Sequence, residues 1–202
     1  MSEHDRILDV VEAAEHGSEA FTLPHTAFSR AIDGVLVLIG KAASWLWPIL
    51  VLVIVVQVVL RYVFNQGLIT LEELQWHIYA VGFMLGLSFA VVRDRHVRID
   101  VVAERFGRRT RAWIELFGLL LFLLPFAIIV AVEAIPFVMA SWRLNEISAA
   151  PGGLGGRWML KSVIIVAFAL IALAALSRLS RVTALLFGWP KPLSEDRAGG
   201  VR

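Results

Sequence analysis

Nineteen consecutive residues, Leu74 to Val92, contain no Asp, Glu, Lys or Arg, and the charged run Arg93-Asp94-Arg95-His96-Val97-Arg98-Ile99-Asp100 follows directly. At a rise of about 1.5 Å per residue, a helix of that length reaches across a hydrocarbon core of roughly 30 Å. The stretch is predicted to span a membrane. From Arg93 to Arg111 there are seven arginines against three acids, Asp94, Asp100 and Glu104. A short loop with that excess is retained in the cytoplasm, so this segment sets the direction of every other helix.

Composition agrees with the membrane reading. Of 202 residues, 58% are hydrophobic and 18% charged, more apolar side chain than the interior of a soluble domain this small can hold. The net charge of +2 is small and the arginines flank apolar runs, which fits headgroup contact and topology rather than nucleic-acid binding. With no cysteine, disulfides, thiolate metal sites and cysteine catalysis are excluded. The first twenty residues carry Glu3, Asp5, Asp9, Glu12, Glu15 and Glu19 and lack the basic start and apolar core of a signal peptide.

Read in order, residues 1–26 form an acidic cytoplasmic tail or amphipathic helix, 27–187 a membrane domain, and 188–202 a flexible cytoplasmic tail. From Phe28 to Lys41 the pattern is an interfacial lead-in to a first span at about 42–60, with Trp45 and Trp47 as belt residues and Pro48 in the first turns. Asn65-Gln66-Gly67 supplies a turn. Thr70 and Glu73 have the form of a capping box heading the second span, 74–92. Ile99, Val102 and Phe106 share one helical face, predicting an in-plane helix at the cytoplasmic interface. The third span falls at about 112–132 and bends at Pro125. The loop from Ser141 to Gly156 is barred from regular helix in its second half by Pro151 and four glycines. The fourth span is 158–176, with Arg178 and Arg181 following it. The fold class is thus an all-α integral membrane protein of four transmembrane helices, with both termini in the cytoplasm.

Chemistry is sparse. No nucleophile–base pair and no paired metal-binding histidines stand out, and only His77 of the five histidines lies within a span, which disfavours haem ligation. Gly82 and Gly86, extended by Ala90, form a GxxxG seam suited to close helix approach, with Trp76 and His77 as further interface candidates. Arg61, Glu72, Glu73, Glu133, Arg157 and Lys161 gather by topology near the outer face, where some should pair across helices. Arg61, Arg143, Arg157 and Lys161 are candidate external docking charges. The middle of each span is apolar, whereas a substrate pathway normally places ionisable groups there.

The order Arg61-Tyr62-Val63-Phe64-Asn65, then Glu72-Glu73-Leu74, then Arg93, Arg95, His96, Arg98 and Asp100 resembles the small permease subunit of tripartite ATP-independent periplasmic (TRAP) transporters, the DctQ family. Asn145-Glu146-Ile147-Ser148, followed by Gly152-Gly153-Leu154 and Arg157-Trp158, is similar to its longer members. The resemblance implies a bacterial inner-membrane, multi-pass subunit that is not an enzyme and holds no cofactor. It braces a larger, DctM-like permease that carries the sodium and substrate sites, while a periplasmic DctP-like binding protein delivers carboxylate solutes; membrane lipids are further partners and nucleic acid is not. The alternatives are a membrane anchor of a haem or quinone complex, and a stand-alone four-helix signalling protein.

Overall fold

The computed structural model describes residues 23–92, 106–191 and 193; the loop motif from Arg93 to Asp100 and most of the expected in-plane helix lie outside them. The elements among the described residues are all helical: α1 (Ala27–Ser44), α2 (Leu46–Val63), α3 (Ile69–Val92), α4 (Arg108–Phe117), a π-helical segment (Gly118–Leu123), α5 (Leu124–Arg143) and α6 (Arg157–Phe187). Four continuous stretches, Ala27–Val63, Ile69–Val92, Arg109–Arg143 and Arg157–Phe187, are long and apolar enough to cross a membrane.

Each stretch outruns its predicted span, and each for a nameable reason. The lead-in is a full helix because Thr26 caps it: the Thr26 hydroxyl accepts from the Ser29 amide at 3.0 Å, and the Ser29 hydroxyl accepts from the Thr26 amide at 3.0 Å. α1 leads directly into the first span, with a one-residue interruption after Ser44. Pro48 has no amide for the Ser44 carbonyl, and its ring collides with that carbonyl, so one residue, Trp45, separates two helices. Nor is α1 merely interfacial, since Leu36 is buried against Val91, Leu170 and Ala174.

Pro125 acts differently. The turn before it widens into π geometry, the Leu124 amide reaching back five residues to the Leu119 carbonyl. That takes up the missing donor without breaking the helix. Pro136 is carried inside α5, which continues to Arg143.

The helix of the fourth span, α6, lies at the centre of the bundle and packs against α1, α3, α4 and α5. Its buried stripe is built from small residues, Ala167, Ala174, Ala175, Ser177 and Ala184 among them, which let neighbouring backbones approach. Around it sit two apolar clusters, one of Leu36, Val91, Leu170 and Ala174, the other of Leu23, Ala112, Leu119, Ala175 and Val182. α1 and α3 approach closely at Gly40, where a Cβ would lie 2.8 Å from Phe89 Cβ and closer still to its ring. By contrast α2 buries only Leu50, while Val51, Leu52, Val55, Val58 and Val59 face outward. An apolar surface of that extent requires lipid or another membrane protein over it.

Candidate functional site

Connectivity puts the turn at 64–68 and the loop at 144–156 at one end of the bundle, and the chain ends 23–26 and 188–193 at the other. Polar chemistry gathers at these two ends.

At the loop end, the organising side chain is Glu73. The helix α3 begins at Ile69, one residue before Thr70, so the expected capping box does not form. Leu68 supplies the first carbonyl instead, accepting from the Leu71 and Glu72 amides. Thr70 and Glu73 both turn outward onto the later loop. The Thr70 hydroxyl donates to the Gly152 carbonyl at 2.9 Å. One Glu73 oxygen accepts from the Ser148 hydroxyl and the other from the Leu154 amide. A residue 75 positions before its partner thus fixes an otherwise irregular segment.

The loop is shaped to receive that carboxylate. The Ser148 amide donates to the Leu154 carbonyl at 3.2 Å, and Gly153 to Ala150 at 3.0 Å, folding the chain back on itself. Gly153 has no room for a side chain: a Cβ there would stand 2.5 Å from Ser148 Cβ and 2.8 Å from Glu73 Oε1. Gly152 and Gly156 take left-handed backbone, φ +75° and +73°, as does Asn145 at +44°. At the base of the loop Trp142 and Trp158 meet edge to face, centroids 4.4 Å apart. Beside them Lys161 pairs with Glu146 while its ammonium sits 4.0 Å above the Phe137 ring. The Lys161 contact holds the Glu146 carboxyl below the usual carboxylate range, and the charge of Arg157 acts in the same direction.

The four candidate docking charges therefore separate. Lys161 is committed to Glu146, and Arg157 stands where its charge acts on both Glu73 and Glu146. Arg61 and Arg143 are exposed, together with Glu72 and Glu133. The glycine seam separates too. Gly82 is buried, a Cβ there meeting Leu46 Cβ at 3.6 Å, whereas a Cβ on Gly86 would meet nothing within 4 Å. Ala90 and His77 are half-buried and Trp76 is exposed. His77 Nδ1 lies 2.6 Å from the Glu73 carbonyl, a bond along its own helix rather than across to another. Gln57 and Gln75 hydrogen-bond between α2 and α3, a polar pair inside two spans that apolar periodicity conceals.

At the terminal end, Arg178 and Arg181 lie inside α6 rather than after it. Arg178 pairs with Glu115 of α4, both largely buried, with side chains 8% and 11% exposed. Asp33 of α1 accepts from the Ser177 hydroxyl at 2.6 Å and lies 3.9 Å from Arg181. Arg181 donates to the Leu23 carbonyl at 3.0 Å, the Thr26 and Ser180 hydroxyls are 3.1 Å apart, and the Leu193 amide donates to the His25 carbonyl at 2.9 Å. Sequence reasoning assigned these arginines to topology and headgroup contact. The available signal was Ser177, Arg178, Ser180 and Arg181 on successive turns of a helix whose apolar pattern resumes at Val182.

Both arrangements hold chain segments in place. The family described as "Tripartite ATP-independent periplasmic transporters, DctQ component" matches residues 50–185, about two-thirds of the chain. The chain belongs to that family. Along 133 residues, 64% of its length, this DctQ-type chain is 26% identical to "Sialic acid TRAP transporter permease protein SiaT" of Haemophilus influenzae (strain 86-028NP). It spans 21% of that relative's length. No solved structure matches. DctQ membership makes this a transport subunit of a multi-pass membrane protein class, and the matched region takes in the whole Glu73 latch and the Arg178–Glu115 pair.

Proposed function

We propose that the chain is the small subunit of a sodium-coupled, binding-protein-dependent transporter of the bacterial inner membrane, taking up carboxylate solutes and bracing a larger permease subunit. In this reading both termini and the arginine-rich loop are cytoplasmic, and the Glu73-held loop faces the periplasm. The carrying observation is where the charges sit. The polar networks join helices and loops at the two ends of the bundle, the interiors of the spans hold no ionisable pathway among the described residues, and α2 leaves an apolar face for lipid or a partner. That layout supports the reading of a frame, in which the sodium and substrate sites belong to the larger subunit. The relative's name mentions sialic acid, and the relative is nearly five times longer than the matched stretch, consistent with a frame segment joined to more permease. Arg61 and Arg143, exposed at the loop end, are the charges left for steering a soluble binding protein.

Reconstitution in liposomes tests this. The chain alone should give no uptake, and addition of its larger permease partner and the binding protein should give sodium-dependent accumulation. Solute accumulation by this chain without a partner, or full-rate uptake by the partner without this chain, would overturn the proposal. Gly86→Leu gives a finer measure: because Gly86 faces open space, the isolated chain should keep its melting temperature while recovery of the pair in mild detergent falls.

A further inference from the structure

The helix α1 is attached to the rest of the molecule in an uneven way. At its C-terminal end the connection to α2 is a single residue, Trp45, with loose bonds around it: the Trp45 amide reaches Ala42 at 3.2 Å, the Ile49 amide reaches Trp45 at 3.4 Å, and Pro48 contributes none. At its N-terminal end a set of directional contacts ties it to α6, through Asp33 to Ser177 and Arg181, Thr26 to Ser180, and Leu23 to Arg181. Between these lie Leu36 and Gly40, whose neighbours are apolar.

In water the apolar middle would dominate. In a membrane it discriminates weakly, because lipid tails receive Leu36 about as well as Val91 and Leu170 do. The polar contacts at the N-terminal end then decide whether α1 stays on the bundle. The sequence of α1 also suits a second position. At about 100° per residue, Arg30, Asp33, Lys41 and Ser44 fall within an arc of about 80°, with Phe28, Ile32, Val35 and Ile39 opposite. A helix patterned this way rests in the headgroup layer with its apolar face down.

We propose that α1 is a hinged strap: clasped to α6 through Asp33, and pivoting about Trp45 into the membrane interface when that clasp opens, while the other helices stay packed. The inference is independent of the transport reading and concerns this chain alone.

Because the chain has no cysteine, paired spin labels can be introduced at chosen sites. Leu38→Cys with Leu173→Cys reports α1 against α6, and Ile129→Cys with Leu173→Cys reports α5 against α6; all three positions are exposed. In full-length protein in lipid nanodiscs, Asp33→Asn should add a second, longer population to the first distance and leave the second unchanged. Ser177→Ala, which removes the 2.6 Å bond but keeps the charges, should add a smaller longer population and is read by the same criteria if Asp33→Asn does not accumulate. Two unchanged distances would overturn the proposal, since the clasp would then hold nothing. Broadening of both distances together would overturn it equally, since α1 would then be inseparable from the bundle.

Discussion

The two ends of the bundle use the same residue types for opposite tasks. Lys161 and Arg178 sit seventeen residues apart on one helix, about 26 Å, and each pairs with a glutamate. At the loop end the glutamates are accessible to water, and the bonds of Glu73 run to a hydroxyl and a backbone amide of an irregular segment. At the terminal end the pairs are largely buried and run from helix to helix. The first arrangement gives shape to chain that has no ladder of its own, and its energy is modest because water competes for every partner. The second fixes how regular helices sit against one another, and its energy is large only when one partner is removed, since the survivor is left charged in a poor solvent.

The largest effect should therefore come from the terminal end. Arg178→Ala takes from Glu115 its buried partner on α6 and is expected to cost about 3–5 kcal/mol. The double change Arg178→Met with Glu115→Leu should recover most of that loss. Thermal unfolding of detergent-purified protein, followed by helical circular dichroism, measures both. If the single change melted no earlier than Arg143→Glu, an exposed substitution expected to lie within about 0.5 kcal/mol of wild type, the contrast between the ends would fail.

A smaller and more local effect is expected from Gly153→Ala. The added methyl must push Ser148 or the Glu73 carboxylate aside, an overpacking cost of about 1–3 kcal/mol. The loss should appear as faster protease cleavage between residues 146 and 156, with the helices retained. Gly155→Ala, whose added Cβ would meet only Ile147 at 3.8 Å, should cleave at the wild-type rate. Equal cleavage of the two variants would remove Glu73 from its place at the centre of the latch.

What the sequence disclosed divides along the same line. The spans were legible because lipid imposes one rule on every residue of a crossing helix, so Leu74 to Val92 announces itself by an unbroken lack of charge. Their ends were not, because α5 and α6 continue past the apolar run on contacts supplied by other helices. Thr70 and Glu73 have the local spacing of a cap, and only the position of a loop 75 and more residues later redirects them. Arg178 and Arg181 beside a span satisfy the topology rule whether buried or exposed, and nothing in their spacing names Glu115 or Asp33. The cap of α1 escaped because its third helical residue is Ser29, where the familiar pattern asks for Glu or Gln. In each case the apolar pattern was sufficient for an element, and the missing information was a partner distant in sequence.

The finest test of the comparison is acidification. Contact with Lys161, aided by the charge of Arg157, holds the Glu146 carboxyl below its ordinary range, so the folded loop binds that proton less readily than the unfolded chain does. The contribution of the pair is therefore complete above the ordinary carboxylate value, erodes as pH falls through it, and is gone once pH drops through the lower folded value. Between pH 7 and pH 5 the loop should hence keep its form, and below about pH 4 the Lys161–Glu146 contact at its base should loosen. An environment-sensitive fluorophore on Ile147→Cys, an exposed loop position in a chain without other thiols, reads the transition. Lys161→Met should move the midpoint upward toward that of a free glutamate, because the largest cause of the lowered value is removed. Adding salt should move it the same way, as screening weakens charges that water already reaches, while leaving the Arg178→Ala defect nearly unchanged. A midpoint indifferent to both Lys161 and salt would mean that the loop end is held by its backbone bonds alone, and the division between a solvated latch and a buried clasp would have to be redrawn around Glu73.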